Sequence, residues 1–177
     1  MNGIKLVLRG LAAIAVLALS ACASQVTRTE PPNTPTEPVR ALASFDLKMS
    51  PTSTAQLADN LKFDLDALRA MIQRTLESKN LFAADGDFDL KVVVDDIRVR
   101  GTFSAVMFGF MAGDDHLNGT ATLARRDGQV MGSFGVKTSW ALGGFVGGQD
   151  SARLSWLYEE FSKMLADELV ARRDAKR

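Results

Sequence analysis

Few residues of this chain could carry out covalent or acid–base chemistry, and the first of them is a cysteine. Cys22 is the only cysteine and His116 the only histidine in 177 residues. A single thiol excludes an intrachain disulfide, and a single imidazole nearly excludes a catalytic or metal site built on histidines. The chemistry that the sequence favours is therefore modification of the Cys22 thiol, which is a nucleophile once it is deprotonated.

The residues before Cys22 have the composition of a secretory signal. Lys5 and Arg9 precede an apolar run that extends to Ala21. That run is about half the roughly 20 residues that a membrane-spanning helix needs, and small residues precede the expected cut. The sequence predicts a signal peptide over residues 1–21.

The four residues Leu19-Ser20-Ala21-Cys22 resemble the box of bacterial lipoprotein signals. The resemblance implies a diacylglycerol on the Cys22 thiol, cleavage before Cys22, and acylation of the new amine by a fatty acid such as palmitate. Two or three chains anchor a protein durably, since each buried methylene contributes about 0.8 kcal/mol. In that family an Asp after the cysteine favours the inner membrane, so Ala23 implies the periplasmic face of the outer membrane. The alternative is an ordinary signal peptide with an incidental cysteine.

Composition limits the partners and the number of domains. Cleavage removes Lys5 and Arg9 and no acidic residue, so 21 basic residues become 19 against 21 acidic ones, a net charge of −2. No basic field for nucleic acid exists, and no motif indicates a cofactor. The length suits a single domain.

A proline-rich segment follows the cysteine. It contains Pro31, Pro32, Pro35 and Pro38, and proline fixes φ and removes a hydrogen-bond donor. We expect residues 22–41 to form a tether with a reach of up to about 50 Å. A single domain over 42–172 and a charged tail over 173–177 would follow.

Hydrophobic periodicity predicts the order β-α-β-β-β-α for that domain. Strands are expected at 45–49 and 88–100, a helix from Leu57 to Leu76 whose first regular turn could lie as late as Asp64, and a C-terminal amphipathic helix. The class is α+β, a mostly antiparallel sheet with two helices on one face.

The last two predicted strands are joined by a hairpin around Asp127-Gly128. This dipeptide favours a two-residue type I′ turn, because both of its residues tolerate φ > 0. The register that follows pairs a large with a small side chain at each step of one face, as a helix packed above would require. The expected pairs are Ala121 with Phe134, Gly119 with Val136, and Leu123 with Gly132.

Two apolar, glycine-rich segments, residues 101–113 and 141–148, are expected to leave the same end of the sheet. Large apolar patches rarely stay exposed without a partner, so one interpretation is a surface that binds a protein, a lipid or a second copy. The other is that residues 101–113 extend the strands or fold over the core, with glycines allowing bends. The candidate binding residues are Phe103, Met107, Phe108, Phe110, Met111 and Phe145.

These segments also resemble an uncharacterised family of bacterial secreted lipoproteins. The resemblance covers residues 42–170 and rests on a Gly-Thr-Phe start, the run Gly109-Phe110-Met111-Ala112-Gly113, the Asp-Gly hairpin, a second glycine-rich stretch and a C-terminal helix. In this chain Met111 stands where a second glycine is usual. No catalytic residues carry over. More distantly, the order resembles small α+β modules of periplasmic lipoproteins that assist envelope assembly, secretion channels or peptidoglycan synthases.

The acidic clusters do not favour an enzyme. Asp85-Gly86-Asp87-Phe88-Asp89 does not continue into a calcium-binding loop, and no Gly-x-Ser-x-Gly elbow is present. Asp114-Asp115-His116 is better interpreted as a solvated loop tip than as a metal site. We therefore expect a lipid-anchored periplasmic interaction protein without catalysis, metal or cofactor. The alternatives are an oligomeric membrane-inserting or secretion-associated lipoprotein and, second, a hydrolase.

Overall fold

The computed structural model describes residues 24–29, 40–101, 113–141 and 149–174. They form one five-stranded sheet in the order β1-β5-β4-β3-β2, in which only the β2–β3 pair is parallel. The elements are β1 (Gln25–Thr29), β2 (Leu42–Met49), α1 (Pro51–Gln56), α2 (Leu65–Ser78), β3 (Phe88–Arg98), β4 (Asp115–Arg125), β5 (Val130–Trp140) and α3 (Asp150–Asp174). Among these residues no helix is both long and apolar enough to cross a membrane. The predicted α+β class and mostly antiparallel sheet are confirmed.

The core lies on one face of the sheet, beneath α2 and α3. Alternate residues of β3, such as Leu90, Val92 and Val94, are buried there with those of β4 and β5. The α3 helix comes close to the sheet at Gly119, where an added Cβ would stand 2.8 Å from the Val93 carbonyl oxygen and 3.0 Å from Cζ of Phe161. A larger residue at Gly119 would therefore push α3 away from β4.

The first strand corrects the predicted tether. Residues 25–29 pair antiparallel with β5, with Gln25 opposite Lys137 and Thr29 opposite Ser133. The sequence here is Gln-Val-Thr-Arg-Thr, which contains three β-branched residues and suits an edge strand, and the prolines all come after it. The proline-rich residues thus connect two edge strands of the sheet, instead of linking Cys22 to a domain that begins at Leu42.

The helix expected between Leu57 and Leu76 starts at the later of its two expected positions, Asp64. α1 ends at Gln56, and α2 begins at Leu65, where the Asp64 carboxylate accepts hydrogen bonds from the Asp66 and Ala67 amides. Such a cap provides partners for amides that have none within the helix. Leu61 fits the apolar spacing, but it lies between the two helices with its side chain 87% exposed.

The predicted hairpin register is confirmed, whereas the turn type is wrong. Ala121 pairs with Phe134, Gly119 with Val136, and Leu123 with Gly132. Beyond Leu123 the register shifts, and Gly128 has φ of 89° while Asp127 does not have positive φ. Arg125 and Gln129 are joined by a backbone hydrogen bond, so the loop is a three-residue connection, residues 126–128. It ends in the left-handed Gly128 beside a bulge.

Replacing Gly128 by valine should lower the free energy of unfolding by about 1 kcal/mol or more, because a β-branched residue is strained at positive φ. A Cβ here would meet no atom within 4 Å, so the cost comes from the backbone alone. Gly128→Asn is the matched control and should cost less, since asparagine tolerates this conformation. Urea unfolding of both variants measures the difference; equal stability of the valine variant and the parent protein would contradict the turn.

Candidate functional site

The residues that border both apolar segments lie at one end of the sheet, which we call the loop end. It is defined by the start of β1 at Gln25, the end of β3 at Arg98, the start of β4 at Asp115 and the end of β5 at Trp140. Gly101, Gly113 and Ala141, which border the two apolar segments, are all at this end. The described residues thus agree with the prediction that both segments leave the same end of the sheet.

A buried carboxylate holds the loop end together. The Asp115 side chain is fully buried and lies against two arginines that are almost as buried, Arg100 and Arg153. Asp115 accepts hydrogen bonds from the Arg100 backbone amide at 2.6 Å and from its guanidinium at 3.2 Å, and Arg153 Nε lies 2.8 Å from Oδ2. The same guanidinium of Arg100 donates to the carbonyl oxygens of Gly113 and Trp140. The Arg100 side chain therefore joins the chain on both sides of the first apolar segment to the chain that precedes the second.

Arg153 connects this carboxylate to the first turn of α3. Its Nη2 donates to the Arg100 carbonyl oxygen at 2.6 Å and to Asp150 Oδ1 at 2.8 Å. Asp150 Oδ2 in turn lies 2.5 Å from Nζ of Lys62, whose side chain is mostly exposed. The four buried charges of Asp115, Asp150, Arg100 and Arg153 sum to zero, so each desolvated ion has a partner of opposite sign.

Two side chains replace a missing strand next to β3. The β2 strand ends at Met49, opposite Val94, whereas β3 continues to Arg98. Gln56 Oε1 accepts from the Ile97 amide at 2.9 Å, and Asn60 Oδ1 accepts from the Val99 amide at 2.7 Å. The exposed turn that carries Leu61 is thereby fixed to the loop end.

The polar face of the sheet carries a second network, centred on His116. His116 Nε2 lies 2.9 Å from Asp96 Oδ2 and Nδ1 lies 3.4 Å from Asp114 Oδ1, while Asp114 also accepts from the Ser139 hydroxyl at 2.5 Å. Gln56 donates to Asp96 at 2.6 Å. Residues 114–116 were expected to form a solvated loop tip. That expectation is wrong, because Asp115 and His116 begin β4 and the Asp115 carboxylate is buried.

Both carboxylates of this network have a lowered pKa. Partial burial raises the pKa of Asp96, but the Gln56 hydrogen bond and the nearby His116 outweigh it, so that the pKa of Asp96 lies below its ordinary value. For Asp114, burial is likewise outweighed by the Ser139 hydrogen bond and His116, so that its pKa is lowered. A lowered folded pKa contributes stability that is present above the unfolded value and is lost as pH falls through the folded one.

These geometries limit the chemistry of the described residues. The Ser139 hydroxyl donates to Asp114, whereas a nucleophilic serine would be bonded to the histidine. No group of three or more histidine, cysteine, aspartate or glutamate side chains among the described residues is placed to hold a metal. A depression beside Leu61, Gly101 and Asp150 has a volume of about 180 Å³, below the roughly 300 Å³ at which small-molecule pockets begin.

The predicted site residues Cys22, Phe103, Met107, Phe108, Phe110, Met111 and Phe145 lie outside the described residues. The sequence interpretation missed the buried ions that hold the ends of their segments. One signal was present: Arg153 lies four residues before Leu157 and eight before Phe161, so it continues the apolar stripe of α3. A charged residue on such a stripe is rarely buried without an ionic partner.

Asp115→Asn should lower the free energy of unfolding by about 3 to 5 kcal/mol, because it removes the carboxylate that Arg100 and Arg153 share and leaves the buried group with an unbalanced positive charge. Asp114→Asn is the matched control, since the neighbouring carboxylate is 37% exposed and should cost about 1 kcal/mol or less. Urea unfolding at neutral pH compares the two variants. Equal losses would mean that the Asp115 carboxylate does not hold this end of the sheet.

Comparison with solved structures finds distant similarity. Two crystal forms of the PelC dodecamer from Paraburkholderia phytofirmans are each 15% identical to this chain, with TM-scores of 0.45 and 0.47, and the alignments cover 81% of this chain and 95% and 96% of theirs. A minor lipoprotein from Acinetobacter baumannii is 12% identical, with a TM-score of 0.39, covering 78% of this chain and 95% of its own. No curated protein matches the sequence.

Comparison with protein families gives a match over most of the chain. Residues 19–144 match a domain of unknown function, DUF4410. The matched range begins at the first residue of the Leu-Ser-Ala-Cys box and includes all five strands, α1 and α2. The resemblance to an uncharacterised family is confirmed: this chain belongs to the DUF4410 family.

Proposed function

We propose that this protein is a lipoprotein of the bacterial envelope that acts by binding and not by catalysis. The acylated Cys22 anchors it at the periplasmic face of the outer membrane, and the apolar segments 101–113 and 141–148 supply its binding surface. The partner is a lipid surface, another envelope protein or a second copy of the chain.

One observation carries this proposal: four points of chain that border the two segments are fastened to each other by buried ions. Arg100 bonds to the carbonyl oxygens of Gly113 and Trp140, and Arg153 bonds to that of Arg100. Buried ion pairs add little net stability, but they specify one arrangement in some proteins. The described ends of the two segments thereby lie together at the loop end. The first segment is rich in phenylalanine and methionine and the second contains Phe145, residue types that are enriched in binding surfaces.

The absence of catalysis is supported by the type and placement of the polar groups. The buried charges are arginine and aspartate pairs that satisfy one another, and His116 is held between two carboxylates on the polar face of the sheet. A catalytic side chain instead lies within hydrogen-bond reach of the place where a substrate binds, usually in a cleft.

Cys22→Ser should abolish labelling of the protein by a radioactive fatty acid and should leave uncleaved precursor or released protein, because acyl transfer needs the thiol. Ser20→Ala is the matched control, since alanine is also small and the cysteine is kept. The readouts are label incorporation and the distribution between membrane and soluble fractions. Membrane retention with normal processing in the serine variant would contradict the anchor.

Replacing Phe108 and Phe110 together by serine should keep the melting temperature and weaken association with envelope components, because interface aromatics contribute a large share of binding energy. Phe45→Ser is the matched control: Phe45 packs against the core, and its loss should lower the melting temperature. Thermal melting is measured beside co-purification from envelope extracts. A melt lowered as far as in the Phe45 variant would place the two rings in the core, and unchanged association would remove the segment as the binding site.

A further inference from the structure

The distance along the chain from the anchor to the sheet is short. Gln25, the first residue of β1, comes three residues after Cys22, and three extended residues span at most about 11 Å. The prolines that were expected to lengthen this link come after β1 and connect it to β2. They add nothing to the reach between Cys22 and the folded sheet.

The end of the sheet that this link reaches is the loop end. Gln25 lies opposite Lys137, three residues before the end of β5 at Trp140, and β1 runs from there toward Ser133. An acyl anchor on Cys22 therefore holds the loop end near the lipid headgroups and leaves the 125–130 hairpin at the opposite end of the sheet.

The side chains of the two ends differ in the way this orientation requires. At the loop end Leu61 is 87% exposed beside Gly101 and Asp150, and Trp140 and Trp156, both half-buried, pack with ring centroids 4.8 Å apart. At the hairpin end residues 126–129 are all exposed and are Arg, Asp, Gly and Gln, and the one large apolar residue exposed beside them, Val130, is 49% exposed. Tryptophan favours the membrane–water interface, and exposed leucine gains free energy by leaving water.

We infer that the loop end of this domain rests against the surface of the lipid bilayer. The inference rests on the proposed acylation of Cys22. Because the first strand is tied directly to the anchor, the loop end faces the membrane that holds it. A protein partner would then bind at the hairpin end or at the sides of the domain.

Fluorescence quenching in vesicles tests this orientation. The acylated full chain is placed in vesicles of phosphatidylethanolamine and phosphatidylglycerol that contain a nitroxide-headgroup lipid. A fluorophore is attached to Leu61→Cys or, as the matched control, to Gln129→Cys; the acylated Cys22 does not react. Both sites are exposed, so neither substitution should affect folding. Quenching should be severalfold stronger at position 61 than at position 129.

The outcomes separate the inference from the proposed function. Protein that does not float with vesicles and retains an unmodified Cys22 by mass would overturn both. Protein that floats but is quenched equally at the two sites, or more strongly at 129, would overturn the orientation alone. Energy transfer between copies labelled at 61, without lipid quenching, would show that the loop end binds a second copy instead.

A spacer variant tests the role of the short link. Insertion of about 12 glycine and serine residues between Ala23 and Ser24 adds roughly 20 Å of reach and leaves the lipoprotein box intact. Flotation should be unchanged, while quenching at position 61 should fall toward the value at 129. Unchanged quenching would show that the length of the link does not set the orientation.

Discussion

The arrangement of this domain depends on one buried carboxylate. Asp115 begins β4, contacts arginines from the end of β3 and the start of α3, and has no exposure to solvent. Desolvation of an ion costs several kcal/mol, which only well-placed partners can offset. The interaction therefore tolerates few relative placements of the three elements. The same placements fix the described ends of both apolar segments.

Contacts between α3 and the sheet keep Arg153 in place beside Asp115. Gly119 lets the Phe161 ring approach β4, and the far end of α3 is held by Glu168, which accepts from Arg28 of β1 at 2.8 Å. The helix that delivers Arg153 to the loop end is thus braced against the edge strand as well. Because α3 contacts β1, β4 and β5 together, the N-terminal strand belongs to the same cooperative unit as the core.

What the sequence could predict follows from the range of the interactions involved. Alternation of large and small residues around Asp127-Gly128 was enough for the hairpin register, since pairing and turn are local. The β1 strand was missed, because the residues around Val26 and Thr27 do not show that they pair with a strand far away in sequence. The start of α2 was left open between Leu57 and Asp64, because apolar spacing does not report that Gln56 and Asn60 bond to β3. Burial of Asp115 was missed because neighbouring acids are usually solvated, and its partners Arg100 and Arg153 come from two other parts of the chain.

The pairing of β1 also bears on when the domain can fold. Gln25 pairs with Lys137, over a hundred residues later in the chain, so the first strand to be synthesised has no partner until the last strand exists. Long-range pairing of this kind is slow and comes late in folding. Until β1 docks, the outer edge of β5 has no strand beside it. An unpaired edge is a site for association with other chains, so the N-terminal strand also closes the edge through which unfinished molecules would aggregate.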